Sequence, residues 1–267
     1  MSLEKQKMKK IVSIFFILTF AFLSLTITSC GKKNQGGTDN NTNGDMNGMT
    51  NMKLGIGTHS ESSEKNADGA KNGALDVTYT VAASIFDKDG KILKCKLDTI
   101  ESHANFSSEG KGIAPSDFKS KQELGDSYVM TEDESKLKWY EQADAFAKKC
   151  EGKKIEDVKK LVADGGKGTD EIMKAGCTIS VSEFVLAVEN SFKNTKDFTA
   201  ASVGDLSLSL NVDANISDAK ESASGKAELK GKFSAEVKNA NQSVAKNEKN
   251  ESKDVMFDTA GKIVKNK

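Results

Sequence analysis

The chain has 267 residues, 37% hydrophobic and 29% charged, which excludes a multi-span membrane protein and a wholly disordered one. Its 39 basic residues are all lysine and equal its 39 acidic ones, so nucleic-acid binding, which calls for a basic surplus with arginine, is not expected. The only histidines, His59 and His103, give no basis for a multi-histidine metal centre.

In chain order, a positive patch at residues 5–10 precedes an uncharged apolar run at 11–28. That order is the pattern of an export signal. The run ends in Ile27-Thr28-Ser29-Cys30, which resembles the bacterial lipobox, whose cysteine becomes the lipid-bearing first residue. Residues 1–29 therefore read as a lipoprotein signal peptide, with Cys30 as the lipidation site and the outer face of the cytoplasmic membrane as the location. Cleavage removes Lys5, Lys7, Lys9, Lys10 and Glu4, leaving a net charge of −3. Residues 31–51 are rich in Gly, Asn and Thr, a tether with an end-to-end distance of roughly 25 Å.

Strands follow. Leu54–Thr58 is a short alternating segment. Leu75, Val77, Tyr79, Val81, Ala83 and Ile85 alternate with polar residues, Asp89-Gly90 marks a hairpin, and Leu93, Cys95 and Leu97 share a face of the return strand. Near the C-terminus the odd-to-even alternation recurs over Leu206–Ile216 and Ala227–Val237, each with one apolar and one wet face. Phe86–Ile92 matches Phe257–Ile263 in five of seven places, and each turn is preceded by two alternating segments. This points to a repeat whose second copy is truncated and carries 239–254 as a polar insertion.

Helical sequence lies between the copies. Thr131–Glu134 reads as a capping box, and Leu137, Tyr140, Ala143, Phe146, Ala147 and Cys150 follow at helical spacing up to Gly152. Ile155–Val162 suggests a shorter helix, residues 165–168 (GGKG) break the chain, and a last helix spans 182–193 with Ser182 as N-cap. GGKG lacks the pattern of a phosphate-binding loop. Cys95, Cys150 and Cys177 are widely spaced, without metal-ligand spacing; one disulfide plus a free thiol, or three buried thiols, both fit.

Ala175-Gly176-Cys177-Thr178-Ile179-Ser180 leads into the last helix. With the Lys-Asp-Gly-Lys-Ile turn, the helical middle and the segments Lys121–Met130 and Trp139–Gln142, this order resembles the FMN-binding domain family of bacterial, clostridial-type surface lipoproteins, over residues 52–195. The resemblance implies FMN carried as a phosphate ester on Thr178, installed by a separate flavin transferase. Gly176 and Cys177 complete the key motif, and Trp139, Tyr140 and Tyr79 are candidate ring walls. Physically, a threonine hydroxyl is an unhindered acceptor, and the N-terminus of the last helix favours a phosphate beside it.

The expected fold is α+β: a twisted antiparallel sheet of at least four strands with helices on one face, plus a partial β repeat over 196–267. The expected function is a membrane-anchored flavin electron carrier with redox partners on either side, rather than a self-contained enzyme. The alternative is a flavin-free structural or small-ligand-binding surface lipoprotein.

Overall fold

The computed structural model describes residues 49–113, 118–130, 137–217 and 225–264. The expected signal peptide, Cys30 and most of the tether lie outside the described residues, as does the expected capping box at Thr131–Glu134. Among the described residues no helix is long and apolar enough to cross a membrane.

Three long strands, β1 (Thr50–Lys65), β2 (Gly73–Asp87) and β3 (Ile92–Phe106), form an antiparallel meander. The two-residue β4 (Gly112–Ile113) extends one edge. The helical middle then supplies α1 (Lys121–Leu124), α2 (Trp139–Cys150), α3 (Ile155–Val158), α4 (Asp170–Lys174) and α5 (Ser182–Lys193). β5 (Thr195–Ala200) returns to β1, giving a twisted sheet of order β4-β3-β2-β1-β5. A second meander, β6 (Leu206–Ser217), β7 (Lys226–Asn239) and β8 (Gln242–Met256), forms a separate antiparallel sheet. The α+β expectation holds.

Alternation decides what each face meets. Leu75, Val77 and Tyr79 point to one side of the first sheet and pack with Leu229, Phe233 and Val237 of the second, so the two sheets share one core. Ala82, Phe86 and Leu97 point the other way and pack with Phe146, Val185 and Val188 of α2 and α5. Gly55 and Gly57 let α5 lie directly on β1; a Cβ at either would strike the helix backbone at Ser191.

The second meander has the same antiparallel strand order as the first, but its elements do not correspond as the sequence comparison had them. Residues 239–254, expected as an insertion, are mostly the third strand, β8, of the second meander. Its sequence is almost wholly polar because it is a sheet edge with only Asn247 and Val255 buried. The turn after Phe257 therefore stands where the turn after Phe106 stands, although its sequence is closer to the turn after Phe86. All three turns share one construction. In each, the side chain of Asp87, Ser107 or Asp258 accepts from the N–H groups two and four residues on, and its backbone N–H donates back across the turn. Gly73 faces Phe106 in the first meander's register; in the second, the Gly225 carbonyl accepts from the Phe257 N–H.

The two meanders pack reciprocally, as across a two-fold axis. β1 lies against β8 and β3 against β6. Phe106 and Phe257 stack with centroids 4.3 Å apart, Gly110 lies against the Asp258 carbonyl and Gly261 against that of Ser107.

β5 leaves β1 after Gly55, and asparagines then take its place. Asn194 pairs with Ile56 through both its side-chain and backbone groups, and the Asn190 amide donates to the Thr58 carbonyl at 2.8 Å. The buried Asn247 amide of β8 donates to the carbonyls of Leu54 (3.0 Å) and Asn194 (2.8 Å), tying the second sheet to the first. Asn247→Ala strands both acceptors without this donor and should cost about 1–3 kcal/mol, read as a lower urea midpoint at unchanged slope.

The Tyr79 phenol donates to the Leu229 carbonyl of the opposite sheet at 3.3 Å, and burial, with Glu251 nearby, pushes its pKa up to about 12. A raised pKa means the native state holds the proton more tightly, so the associated stability is present below pH 10 and lost as pH rises through 12. Relative to Tyr79→Phe, the wild-type urea midpoint should fall across that window; a pH-independent difference would contradict the assignment.

Candidate functional site

The first sheet's outer face is only partly covered by helices. Beyond their edge, register aligns His59, Thr80 and Thr99 in one row and Glu61, Thr78 and Glu101 in the next, a polar shelf. A cavity of about 690 Å³ stands on this shelf, with Thr78, Thr80, Thr99 and Glu61 lining its floor. The Thr80 and Thr99 hydroxyls are 3.2 Å apart and hydrogen-bonded. Thr178, Ile179, Ser180, Glu183 and Phe184 form the roof, and Tyr128, Met130 and Trp139 the apolar wall.

Trp139 opens α2, where the Lys138 N–H donates to the Glu141 carboxylate at 2.8 Å. The indole is nearly buried and meets Tyr128 and Phe184 edge-on at 6.5 and 5.8 Å. The buried stripe of α2 is Trp139, Gln142, Ala143, Phe146, Ala147 and Cys150. Tyr140 is thereby turned away from the cavity, toward Asp126, whose carboxylate accepts from its hydroxyl at 3.4 Å and holds its pKa up. Tyr79 belongs to the opposite face of the sheet; its odd-numbered position puts it with Leu75 and Val77 in the inter-sheet core.

Lys121 is the inner cation. Its backbone is fixed at the start of α1, where Asp98 accepts the Gln122 N–H at 3.0 Å and Ser120 that of Glu123 at 3.2 Å. Burial pushes the Asp98 carboxyl up, opposed by hydrogen bonds from the Ser120 side chain and the Gln122 and Thr99 N–H groups. The Lys121 ammonium pairs with Glu101 at 2.6 Å and lies over the Tyr128 ring, 4.6 Å from its centroid, and the Trp139 ring at 5.4 Å. With only 12% of its side chain exposed, it is a fixed charge rather than a solvated one. Lys167 supplies a second cation at the rim, from the GGKG segment, which pairs with Ser180 through an isolated bridge.

The 176–178 segment is held tightly. Gly176 has φ of +100°, and a Cβ there would collide with Leu137. Cys177 is fully buried in the core between helices and sheet, away from the cavity lining. Thr178 is half-buried on the roof, and its hydroxyl donates to the Gln142 side-chain oxygen at 3.2 Å. α5 begins one residue earlier in role than expected: Val181 is its N-cap and Ser182 its first helical residue, with the Ser182 hydroxyl 3.5 Å from the Gly166 carbonyl.

Cys95, Cys150 and Cys177 are all buried thiols. The neighbouring Cys95, then burial, hold the Cys150 thiol well above its usual range, so Cys150 is not an activated nucleophile. Among the described residues no cluster of His, Cys, Asp and Glu could hold a metal.

Of the residues singled out in sequence, Thr178 and Trp139 meet in this cavity, Gly176 and Cys177 support it from behind, and Tyr140 and Tyr79 lie elsewhere. Lys121, Lys167, Tyr128 and Gln142 were missed. The available signal for Gln142 was a polar residue inside an otherwise apolar helical stripe. A scan of protein-family models, a search of curated proteins and a search of solved structures each find no match to this chain.

Gly176→Ala combines a left-handed backbone with a steric clash and should destabilise by about 1–3 kcal/mol. Thermal unfolding followed by the emission of Trp139, the single tryptophan, measures it.

Proposed function

We propose that the chain is a surface lipoprotein, anchored through Cys30, whose cavity takes flavin mononucleotide attached at Thr178, and that it passes electrons between membrane donors and outside acceptors. The observation that carries this reading is the meeting of Thr178 and Trp139, two residues from separate segments, in one cavity of about 690 Å³. That volume is within the range of small-molecule and cofactor sites.

The donor set fits the group. The Thr178 hydroxyl offers an attachment oxygen at the roof. Trp139, Tyr128, Phe184 and Met130 offer apolar and aromatic wall for a ring system, and Lys167, with Lys121 beside its partner Glu101, offers positive charge for an anionic phosphate or reduced ring among the carboxylates of Glu61 and Glu183. The uncapped start of α5, 12 residues long, adds backbone N–H groups and the positive end of a helix dipole beside Thr178. The threonines of the floor present hydroxyls to polar ring edges. A bound flavin supplies the one- and two-electron chemistry; the protein's share is attachment, orientation and fixed charge.

A second reading, a surface lipoprotein that binds a small ligand without covalent flavin, is favoured by Ile172. The family resemblance calls for an acidic residue six positions before the threonine; here that position is a fully buried isoleucine. Asp170 and Glu171 are out of that register.

One experiment separates the readings. The full-length chain is exported beside a flavin transferase and run on a denaturing gel. The flavin reading expects a fluorescent band and a matching mass increment, both abolished by Thr178→Ala. A colourless band with unmodified mass supports the second reading.

A further inference from the structure

Gln142 is wholly buried, yet its side chain makes several hydrogen bonds within the site. It stands one helical turn after Trp139, so the two share a face of α2. Its side-chain oxygen accepts from the Thr178 N–H at 2.7 Å, the Thr178 hydroxyl at 3.2 Å and the Ile179 N–H at 3.2 Å. Its amide nitrogen donates to the Leu137 carbonyl at 3.2 Å and approaches the Met130 sulfur at 3.8 Å. Two backbone N–H groups require an acceptor, so the oxygen must face the roof and the nitrogen Leu137; the amide has one orientation.

The geometry assigns Gln142 as the positioning residue of the site, the group that sets the Thr178 side chain and its hydroxyl proton against the Trp139 wall. This rests on the reading of Thr178 as the flavin attachment point. The Thr178 hydroxyl donates to Gln142 at 3.2 Å, and its oxygen keeps lone pairs with which it acts as an acceptor and nucleophile. The same helix delivers the aromatic wall and the acceptor. The distance from attachment oxygen to ring wall is thus fixed by one rigid element rather than by the 176–181 loop.

In the attachment step the bond from Thr178 Oγ1 to phosphorus forms, and the phosphoanhydride bond of a dinucleotide flavin donor breaks. The nucleoside monophosphate leaves with the electron pair, and the hydroxyl proton leaves its hydrogen bond to Gln142 and passes to a base of the transferase. Gln142 exchanges no proton in this step. Its contribution is the rotamer, an effective-concentration effect that a misplaced hydroxyl forfeits.

The test uses the full-length chain exported beside a flavin transferase, with wild type, Gln142→Met and Gln142→Glu compared by intact mass and by amide hydrogen exchange. Methionine keeps the volume and removes the acceptor. Glutamic acid keeps an oxygen facing the roof and, when protonated, a donor facing Leu137. The expected result is at least tenfold slower loading in Gln142→Met, with loading restored to within about threefold in Gln142→Glu. Exchange at the Thr178 and Ile179 amides should quicken at least tenfold in Gln142→Met while β2 and β3 stay protected. Equal loading and equal exchange in all three proteins would overturn the assignment, as would slow loading in Gln142→Met without faster exchange at 178–179. A wild type that never loads would instead sink the flavin reading, and the exchange at 178–179 would then decide the Gln142 lock alone. If Gln142→Met loses the β2 and β3 protection, Gln142→Asn, which withdraws the same amide by one methylene, takes its place with the same expected signs.

Discussion

A 16-residue strand is about 50 Å long, whereas a 12-residue helix is about 18 Å. The cavity follows from that mismatch. β1, β2 and β3 are too long for α2 and α5 to cover, so their outer face divides into a part under helices and a part left open. The covered part carries Ala82, Phe86, Cys95 and Leu97; the open part carries threonines, glutamates and His59. Placing the roof segment 178–184 over the open part encloses a volume with a polar floor and an aromatic wall. Sites built between rigid elements hold their geometry better than sites on free loops.

The inner face of the same strands meets a different demand. It is apolar along most of its length, and a second three-stranded meander of nearly equal strand length covers it. The two meanders share their turn construction and bury their closing phenylalanines against each other. Among the described residues, helices follow the last strand of the first meander, and the cavity of about 690 Å³ stands on that meander's outer face. The second sheet's outer face is polar, with ion pairs such as Lys230–Glu228 and Lys246–Glu236 along it. One architectural unit therefore serves twice, once as the platform of a site and once as the cover for that platform's back.

Much of this was legible in sequence because period-two alternation is a strong signal. β2 and β7 follow from their apolar odd positions, β6 from its apolar even ones, the β2–β3 hairpin from Asp89-Gly90, and α5 from its apolar face. β8 was not legible: an edge strand that buries little beyond Asn247 and Val255 has no alternation to read and is held by its ladder to β7. The start of α2 was misread because Leu137 and Tyr140 fit helical spacing as well as Trp139 and Gln142 do, and only the tertiary fold chooses between stripes two residues apart. The pairing of Thr178 with Trp139 was reached through the family resemblance. Lys121 was out of reach because a lysine on a four-residue helix looks like a solvated charge until Glu101, Tyr128 and Trp139 are seen around it.

The central claim is that Thr178 is where a flavin is joined to this chain. Tryptic peptide mapping of protein exported beside a flavin transferase tests it most directly. Cleavage after Lys174 and Lys193 isolates residues 175–193, which contain Thr178 and three serines, Ser180, Ser182 and Ser191. The account predicts a flavin-phosphate increment on this peptide, placed by fragmentation on Thr178. An increment on one of the serines or on another peptide, or no increment on any, would contradict it.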